Sequence, residues 1–257
     1  MWWFARKTRA SLSPAAVACD MHCHLLPGVD DGVADDEQAL QAIGRLAELG
    51  YGGAVLTPHI YPGLFDNTER DLGDHFARFQ AVSAQRYPAF ALQLGAEYYC
   101  DESLVQRIQQ GQALTFGATE PALLMELARH SPPASLDVAL QACRSRSIRP
   151  IIAHIERYTY VTGVEGLAQV ARWREVGAWT QLNLGSLVGQ YGSSLQRASR
   201  QLWKAGLVDL LGTDLHKPAA VDHVARAWQW LASRGRGFAV QRQRSLRSAA
   251  LAPGTTS

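Results

Sequence analysis

The 257-residue chain has no apolar run near the roughly 18 residues that a membrane helix needs. Nothing in it reads as a transmembrane segment. Its four cysteines, Cys19, Cys23, Cys100 and Cys143, show no CxxC or zinc-knuckle spacing. A disulfide framework does not suit a chain of this size, so a reducing cytoplasm is the expected compartment. Neither GxGxxG nor GxxxxGKS/T occurs, which removes the two nucleotide-loop signatures. Acidic residues are missing from the end of the chain. Arg234, Arg236, Arg242, Arg244 and Arg247 follow Leu231 with no acid among them. Without these five the net charge of +2 becomes −3. The basic excess therefore belongs to a solvated tail, and nucleic-acid binding has no footing. Internal repeats and interior linkers are also absent.

What remains is an ordinary globular composition, 47% hydrophobic and 19% charged, long enough for one large α/β domain. Residues 1–16 read as a leader and 233–257 as a basic tail, both expected to be disordered, around a domain spanning 17–232. The first ten residues, MWWFARKTRA, are too short and too interrupted for a signal peptide. Trp2, Trp3 and Phe4 beside Arg6, Lys7 and Arg9 suit contact with a membrane surface. A frayed leader is the plainer reading. A cytoplasmic protein, peripheral to the inner membrane if the leader touches lipid, fits both.

Seven short apolar segments follow, each with a helical pattern after it. They are Val17 to His22, Gly53 to His59, Phe90 to Glu97, Ala122 to Glu126, Pro150 to His154, Trp179 to Leu184 and Val208 to Asp214. Strict β-α alternation predicts a parallel sheet with helices outside it. Apolar strands suit burial on both faces. Seven units in this length suit a closed, distorted barrel, with an open doubly wound sheet as the alternative.

Six of the seven strands end in a metal-ligand type. The first ends in His22-Cys23-His24, the next ones in His59, Glu97, Glu126 and His154, and the last in Asp214-Leu215-His216. In an α/β barrel the C-terminal strand ends share one face, where active sites sit. Residues i and i+2 of a strand point to the same side, so His22 and His24 share one direction, as do Asp214 and His216. Cys23 then faces the helices as a small hydrophobe. Asp20, one layer deeper in the same phase, is placed to orient a ligating imidazole from behind. The turn after His24 offers Asp30 and Asp31 to the rim. A single histidine at a strand end is more often structural than ligating; six strand ends of ligand type are not the pattern of chance. Imidazole with carboxylate suits zinc, manganese or iron. Eight or nine ligands exceed one ion and fit two or three sharing bridging carboxylates. Such a cluster activates water and clamps phosphoryl oxygens, which points to phosphate-ester hydrolysis. His75 and His223 fall on helices and His130 in a loop, and none of these joins the set.

The segments DMHCHLLPGVDDG, TPHIYPG, GAEYY, LLMELA, PIIAHIERY, NLGSLVGQYG and LGTDLH resemble the PHP (polymerase and histidinol phosphatase) superfamily. Within it they are most similar to the bacterial capsule and exopolysaccharide protein-tyrosine phosphatases. The resemblance runs from Asp20 to Trp230. It implies a distorted (β/α)₇ barrel of the PHP type and three divalent ions, usually Mn²⁺, with Fe or Zn as substitutes. One ion would take His22, His24, Glu97 and Asp214. A second would take Glu97 as bridge with Glu126 and His154, and a third Asp31, His59 and His216. Arg157 matches a family arginine that contacts substrate phosphate, as its guanidinium fork would suit. The arginine that family members often carry after the DxH motif is absent here, and Lys217 is the cation left to bind substrate. The implied partner is the phosphotyrosine tail of a membrane-bound bacterial tyrosine kinase controlling polysaccharide export.

The expected activity is hydrolysis of phosphotyrosine by a metal-bound hydroxide, with Arg157 as the catalytic cation. Two rivals remain: a small-molecule phosphomonoesterase like histidinol phosphatase, and a catalytically weak module that binds a kinase tail. A third motif competes, because Cys143 to Arg149 has the Cys-x₅-Arg spacing of cysteine-dependent tyrosine phosphatases. Those loops lead from a strand into a helix, where backbone N–H groups cradle phosphate. Here the order is reversed, and Cys143 shares an apolar helix face with Leu136 and Leu140. Cys143 is therefore expected to be structural.

Overall fold

A computed structural model describes residues 18–117 and 120–234. The leader, with its aromatic and basic cluster, and tail residues 235–257 lie outside the described residues. The elements alternate as the patterning predicts. β1 (Ala18–Cys23) precedes α1 (Asp36–Glu48). β2 (Tyr51–Leu56) and β3 (His59–Ile60) precede α2 (Glu69–Arg86), and β4 (Ala91–Leu94) and β5 (Glu97–Tyr99) precede α3 (Glu102–Gln110). β6 (Ala122–Glu126) is followed by α4 (Leu136–Ser145). β7 (Arg149–Ile152) leads through two 3₁₀ turns, Ile155–Arg157 and Thr159–Val161, into α5 (Gly163–Glu175). β8 (Trp179–Asn183) runs into the single turn α6 (Leu184–Leu187) and then α7 (Ser193–Lys204). β9 (Leu210–Gly212), a 3₁₀ turn at Pro218–Ala220 and α8 (Val221–Ala232) complete the order.

Two of the seven expected strands are each split in two. The second breaks at Thr57-Pro58, where proline has no N–H for the ladder. The third breaks at Gly95-Ala96, where Gly95 passes so close to Phe116 that an added Cβ would lie 2.7 Å from its ring. The breaks fall at matching heights: β2 pairs with β4, and β3 pairs with β5 above them. All ladders are parallel, in the orders β1-β2-β4 and β3-β5-β6-β7-β8-β9. Backbone bonds carry the pairing across the breaks, from Gly95 N–H to Leu56 O at 2.8 Å and from Glu97 N–H to Pro58 O at 3.0 Å.

The ring closes where the end of β9 meets β1. Leu215 bridges Cys23 in parallel, His24 N–H donates to Leu215 O at 3.0 Å, and Asp214 N–H donates to His22 O at 2.8 Å. The result is a distorted seven-membered parallel barrel, not an open sheet.

Apolar burial occurs on both sides of this wall. Cys19, Met21, Val55, Phe116, Leu124, Ile151 and Leu210 belong to a compact cluster with no helical member, which therefore fills the interior. The larger cluster lies between strands and helices. α1 shows the logic of the outer layer. Asp35 caps it by accepting from Gln38 N–H, and Ala39, Leu40, Ala42, Ile43 and Leu46 form its buried stripe. Cys23 is in the outer cluster, as its phase predicts.

Asp20 behaves differently from the expectation. The ladder of β1 shifts register between Asp20 and Cys23, so the simple two-residue phase does not carry from one to the other. Asp20 touches no imidazole ring. It reaches sideways to β9, accepting from Thr213 N–H at 3.0 Å and from the Thr213 hydroxyl, and only weakly from His22 N–H at 3.4 Å. Burial pushes its carboxyl up to about 6 despite these donors. It is a seam residue that holds the barrel shut beneath the ligands.

The Asp20→Ala variant should unfold at lower urea concentration, by about 1–3 kcal/mol, because it leaves the buried Thr213 donors unpaired. An unchanged midpoint in urea denaturation would remove Asp20 from the closure.

Candidate metal centre

The strand ends deliver their side chains to one place. His22 and His24 leave β1, Glu97 begins β5, Glu126 ends β6, and His59 begins β3. His154 and Asp214 follow β7 and β9 in left-handed backbone, with φ of 25° and 50°. Non-glycine residues held there store about 1–3 kcal/mol each, and such strain gathers at functional sites. Both kinks occur where a strand must end and present its last side chain to the barrel mouth.

All nine sequence-predicted ligands converge. His22 Nε2 lies 3.1 Å from Glu97 Oε2 and 3.5 Å from Asp214 Oδ1. His24 Nε2 lies 3.2 Å and 3.4 Å from the same two oxygens. His154 Nε2 is 2.8 Å from Glu97 Oε1 and 3.7 Å from Glu126 Oε1. At the rim, Asp31 Oδ1 stands 3.4 Å from His216 Nε2 and 3.8 Å from His59 Nε2. Three groups have donor atoms mutually close enough for one cation: His22, His24, Glu97 and Asp214; His24, Asp31, His59 and His216; and His59, Glu97 and Glu126.

The donors fit metal better than they fit one another. His22 Nε2 and His24 Nε2 face each other at 3.2 Å, and both point at the same carboxylate oxygens. Buried Glu97 Oε1, His59 Nδ1 and His154 Nδ1 have no hydrogen-bond partner. Glu97 Oε1 lies 2.8 Å from His154 Nε2 as an ion-pair contact. Buried polar atoms are normally paired, and orphans at a cluster of imidazoles and carboxylates mark a cation position.

Charge coupling without a cation is strong. Burial alone would lower the His22 pKa, but Glu97 and Asp214 outweigh it and hold it up to about 9. Burial would raise Glu97, yet the charges of His22, His154 and His59 hold it well below the carboxylate range. Burial and the Glu97 charge push Glu126 up. His59 falls to about 4, chiefly through burial.

Other expected residues take defined places. The two aspartates of the first turn divide: Asp31 stands at the rim, while Asp30 turns inward. Asp30 Oδ2 binds His24 Nδ1 at 2.8 Å and accepts from His59 N–H at 3.0 Å, so it fixes the His24 ring and the entry to β3 instead of standing at the rim. Arg157 lines the cavity and places Nη1 3.3 Å from Asp214 Oδ2. Lys217 is exposed and lines the mouth. His75 and His130 are exposed and His223 pairs with Arg226, away from the cavity. Cys143 is fully buried in the helical layer, and burial pushes its thiol up to about 12. It cannot supply a thiolate nucleophile at neutral pH.

Above the ligands lies a cavity of about 420 Å³. Asp31, His59, Glu97, Glu126, Asp214 and His216 supply its polar side, and Tyr61, Leu64, Phe65 and Tyr191 an apolar wall. Tyr61 and Phe65 close a tight turn with reciprocal backbone bonds of 3.0 and 2.8 Å, and Leu64 at its tip is 64% exposed. Phe65 stacks on His59 with centroids 5.1 Å apart. This wall was not read from the sequence, although Tyr61 lies within TPHIYPG. Gln181 and Asn183, which bond to ligands, were also missed, because amides are not ligand types.

The fold and cluster define a (β/α) barrel protein with a buried set of histidines and carboxylates that could hold metal. Residues 18–233 match the profile of the capsular polysaccharide synthesis CpsB/CapC family, and the chain belongs to that family. It is 23% identical over 202 residues to the tyrosine-protein phosphatase CpsB of Streptococcus pneumoniae, covering 77% of this chain and 82% of that protein. It is 26% identical over 200 residues to the tyrosine-protein phosphatase YwqE of Bacillus subtilis, covering 77% and 76%. Its fold is similar to that in the crystal structures of YwqE and CpsB, described as metal-dependent tyrosine phosphatases. That match has a TM-score of 0.77 at 22% identity and covers 90% of this chain and 91% of that one. No helix among the described residues is long and apolar enough to cross a membrane.

A cation bound through His22 would displace the proton that the carboxylates hold there. Apparent Mn²⁺ affinity should therefore rise as pH climbs from about 6.5 toward 9, with proton release to buffer. Calorimetry in buffers of different ionisation enthalpy reads this directly. An affinity flat across that range would contradict the displacement.

Proposed function

We propose that the chain is a metal-dependent protein-tyrosine phosphatase acting in capsule or exopolysaccharide synthesis. The observation that carries this is the convergence of nine ligand-type side chains beneath a cavity that has both a cationic edge and an aromatic wall. The ligand sets are His22, His24, Glu97 and Asp214; Glu97, Glu126 and His154; and Asp31, His59 and His216. They give three divalent ions, Mn²⁺ by resemblance, with Fe or Zn compatible with the same donors. His59 is also near Glu97 and Glu126, and His24 near the rim set, so neighbouring positions share ligands.

When bound, the ions supply an activated water and neutralise phosphoryl charge. The chain's own residues do the rest. Arg157 is held by Asp214 on one side and open to the cavity on the other, so its remaining N–H groups can fork phosphoryl oxygens. Lys217 adds a point charge at the mouth. Tyr61, Leu64, Phe65 and Tyr191 offer the apolar contact that a phenyl ring needs and an alkyl phosphate does not use. A phenol leaves with a pKa near 10, so it asks less of a general acid than an alcohol does.

The substrate we infer is the phosphotyrosine tail of a membrane-bound kinase, reached by a catalytic unit spanning residues 17–232. An open cavity mouth suits an extended tail. All four cysteines are buried, which suits a reducing cytoplasm on the inner face of the membrane.

Purified protein with Mn²⁺ should release phosphate from a phosphotyrosine peptide faster than from histidinol phosphate. Release no greater than that of His154→Ala would sink the phosphatase reading. Equal or faster turnover of histidinol phosphate would move it to the small-molecule class. Arg157→Ala should lower kcat/KM by roughly 10²–10³-fold, the usual effect of removing a preorganised charge donor. Phe65→Ala should raise KM for aryl phosphates while leaving inhibition by inorganic phosphate nearly unchanged. A parallel loss of phosphate inhibition would mean that Phe65 supports the metal site instead.

A further inference from the structure

Among the described residues, with β2–β3 and β4–β5 each taken as one split strand, β8 is the one of seven whose end gives the cluster no ligand-type side chain. We infer that it supplies the positioning element instead: Gln181 and Asn183 form a one-way amide chain that sets the ring tautomer of His22 and the orientation of His154 and Asp214. This rests on the reading of those three residues as metal ligands.

The direction of the chain follows from one backbone donor. His154 N–H can only donate, and it meets Gln181 Oε1 at 2.7 Å. That atom is therefore the amide oxygen. His22 Nδ1 lies 3.1 Å from the same oxygen, so in the neutral ring the proton sits on Nδ1. Nε2 is left with its lone pair pointing toward Glu97 and Asp214. With its oxygen so engaged, Gln181 presents Nε2 to Asn183 Oδ1 at 2.9 Å. Asn183 is oriented in turn and donates Nδ2–H to Asp214 Oδ2 at 2.6 Å. Each bond has a single sense, and the chain links His22 on β1 with His154 after β7 and Asp214 after β9.

Two further features hold the amides in place. Glu156 Oε1 accepts from Asn183 N–H at 3.2 Å and from the Ser186 hydroxyl at 2.6 Å, fixing the end of β8. Gly212, paired with Asn183 in the β8–β9 ladder, leaves room for the Gln181 amide. A Cβ at Gly212 would stand 2.6 Å from Gln181 Nε2 and 2.9 Å from His22 Cβ. Both amide side chains are completely buried, so no water replaces these bonds.

Loss of such an outer hydrogen bond costs about 10–100-fold in metal affinity. Gln181→Leu, folded by circular dichroism, should bind Mn²⁺ about 10–100-fold more weakly than wild type by calorimetry. Gln181→Glu keeps the acceptor for His22 and His154 but loses the N–H given to Asn183, so its affinity should fall between wild type and Gln181→Leu. Unchanged affinity in Gln181→Leu, or an equal loss in both variants, would overturn the inference. If Gln181→Leu does not fold, ¹⁵N imidazole spectra of the wild-type Zn²⁺ complex decide. His22 coordinating through Nε2 with a proton on Nδ1 is expected, and coordination through Nδ1 would overturn it. Wild-type protein that takes up no Mn²⁺ would defeat the metal reading and this inference together. A normal wild-type affinity unaffected by Gln181→Leu would defeat this inference alone.

Discussion

The Glu97 carboxylate is buried among four imidazoles, those of His22, His24, His59 and His154, at 2.8 to 3.5 Å. Desolvating so many ionisable groups is costly unless opposite charge balances them. The rest of the molecule is arranged to make that concentration possible. The strands bring the groups in from separate parts of the chain, the seam at Asp20 and Thr213 keeps the ring closed beneath them, and left-handed backbone at His154 and Asp214 aims two of them. The cations proposed to bind there would complete the balance.

That constraint also explains why the neighbours of the ligands matter. Asp30 fixes His24 by its Nδ1, and Gln181 faces His22 at the same ring atom, so both imidazoles turn Nε2 toward the centre. Asn67 donates to the carbonyls of Val29 and His59 at 2.8 Å each, tying the Asp30–Asp31 turn to the strand that carries a rim ligand. The cavity therefore has a hydrogen-bonded floor and a wall whose tip, Leu64, is exposed. Hydrogen-bonded donors below and an exposed apolar edge above suit the proposed binding of a phosphate and its organic group.

Much of this was legible in the sequence, for a physical reason. Apolar runs bounded by helical periodicity fix β-α alternation, and parallel barrels place strand ends together. His22, Glu97, His154 and Asp214 could thus be grouped although 192 positions separate the first from the last. The illegible parts depend on register and crowding. The strand split at Gly95 comes from its close approach to Phe116, which no local pattern shows, whereas the one at Pro58 follows from proline's missing N–H. The phase shift in β1 turned Asp20 toward Thr213, because bulges are invisible to a period-two pattern. Gln181 and Asn183 carry no chemical signature of their own, and their importance appears only when β8 is laid beside β9 and β1. The Tyr61–Phe65 turn was likewise unreadable as a wall until its closure placed Phe65 on His59.

The central claim is that these side chains form a metal centre on which phosphate release depends. It is tested most directly by elemental analysis and phosphotyrosine-peptide hydrolysis on one sample, followed through stepwise chelation and Mn²⁺ return. The expected result is about three ions per chain, with activity falling and recovering in step with occupancy. A chain that retains less than one ion at saturating Mn²⁺, or that hydrolyses the peptide undiminished after chelation, would contradict it.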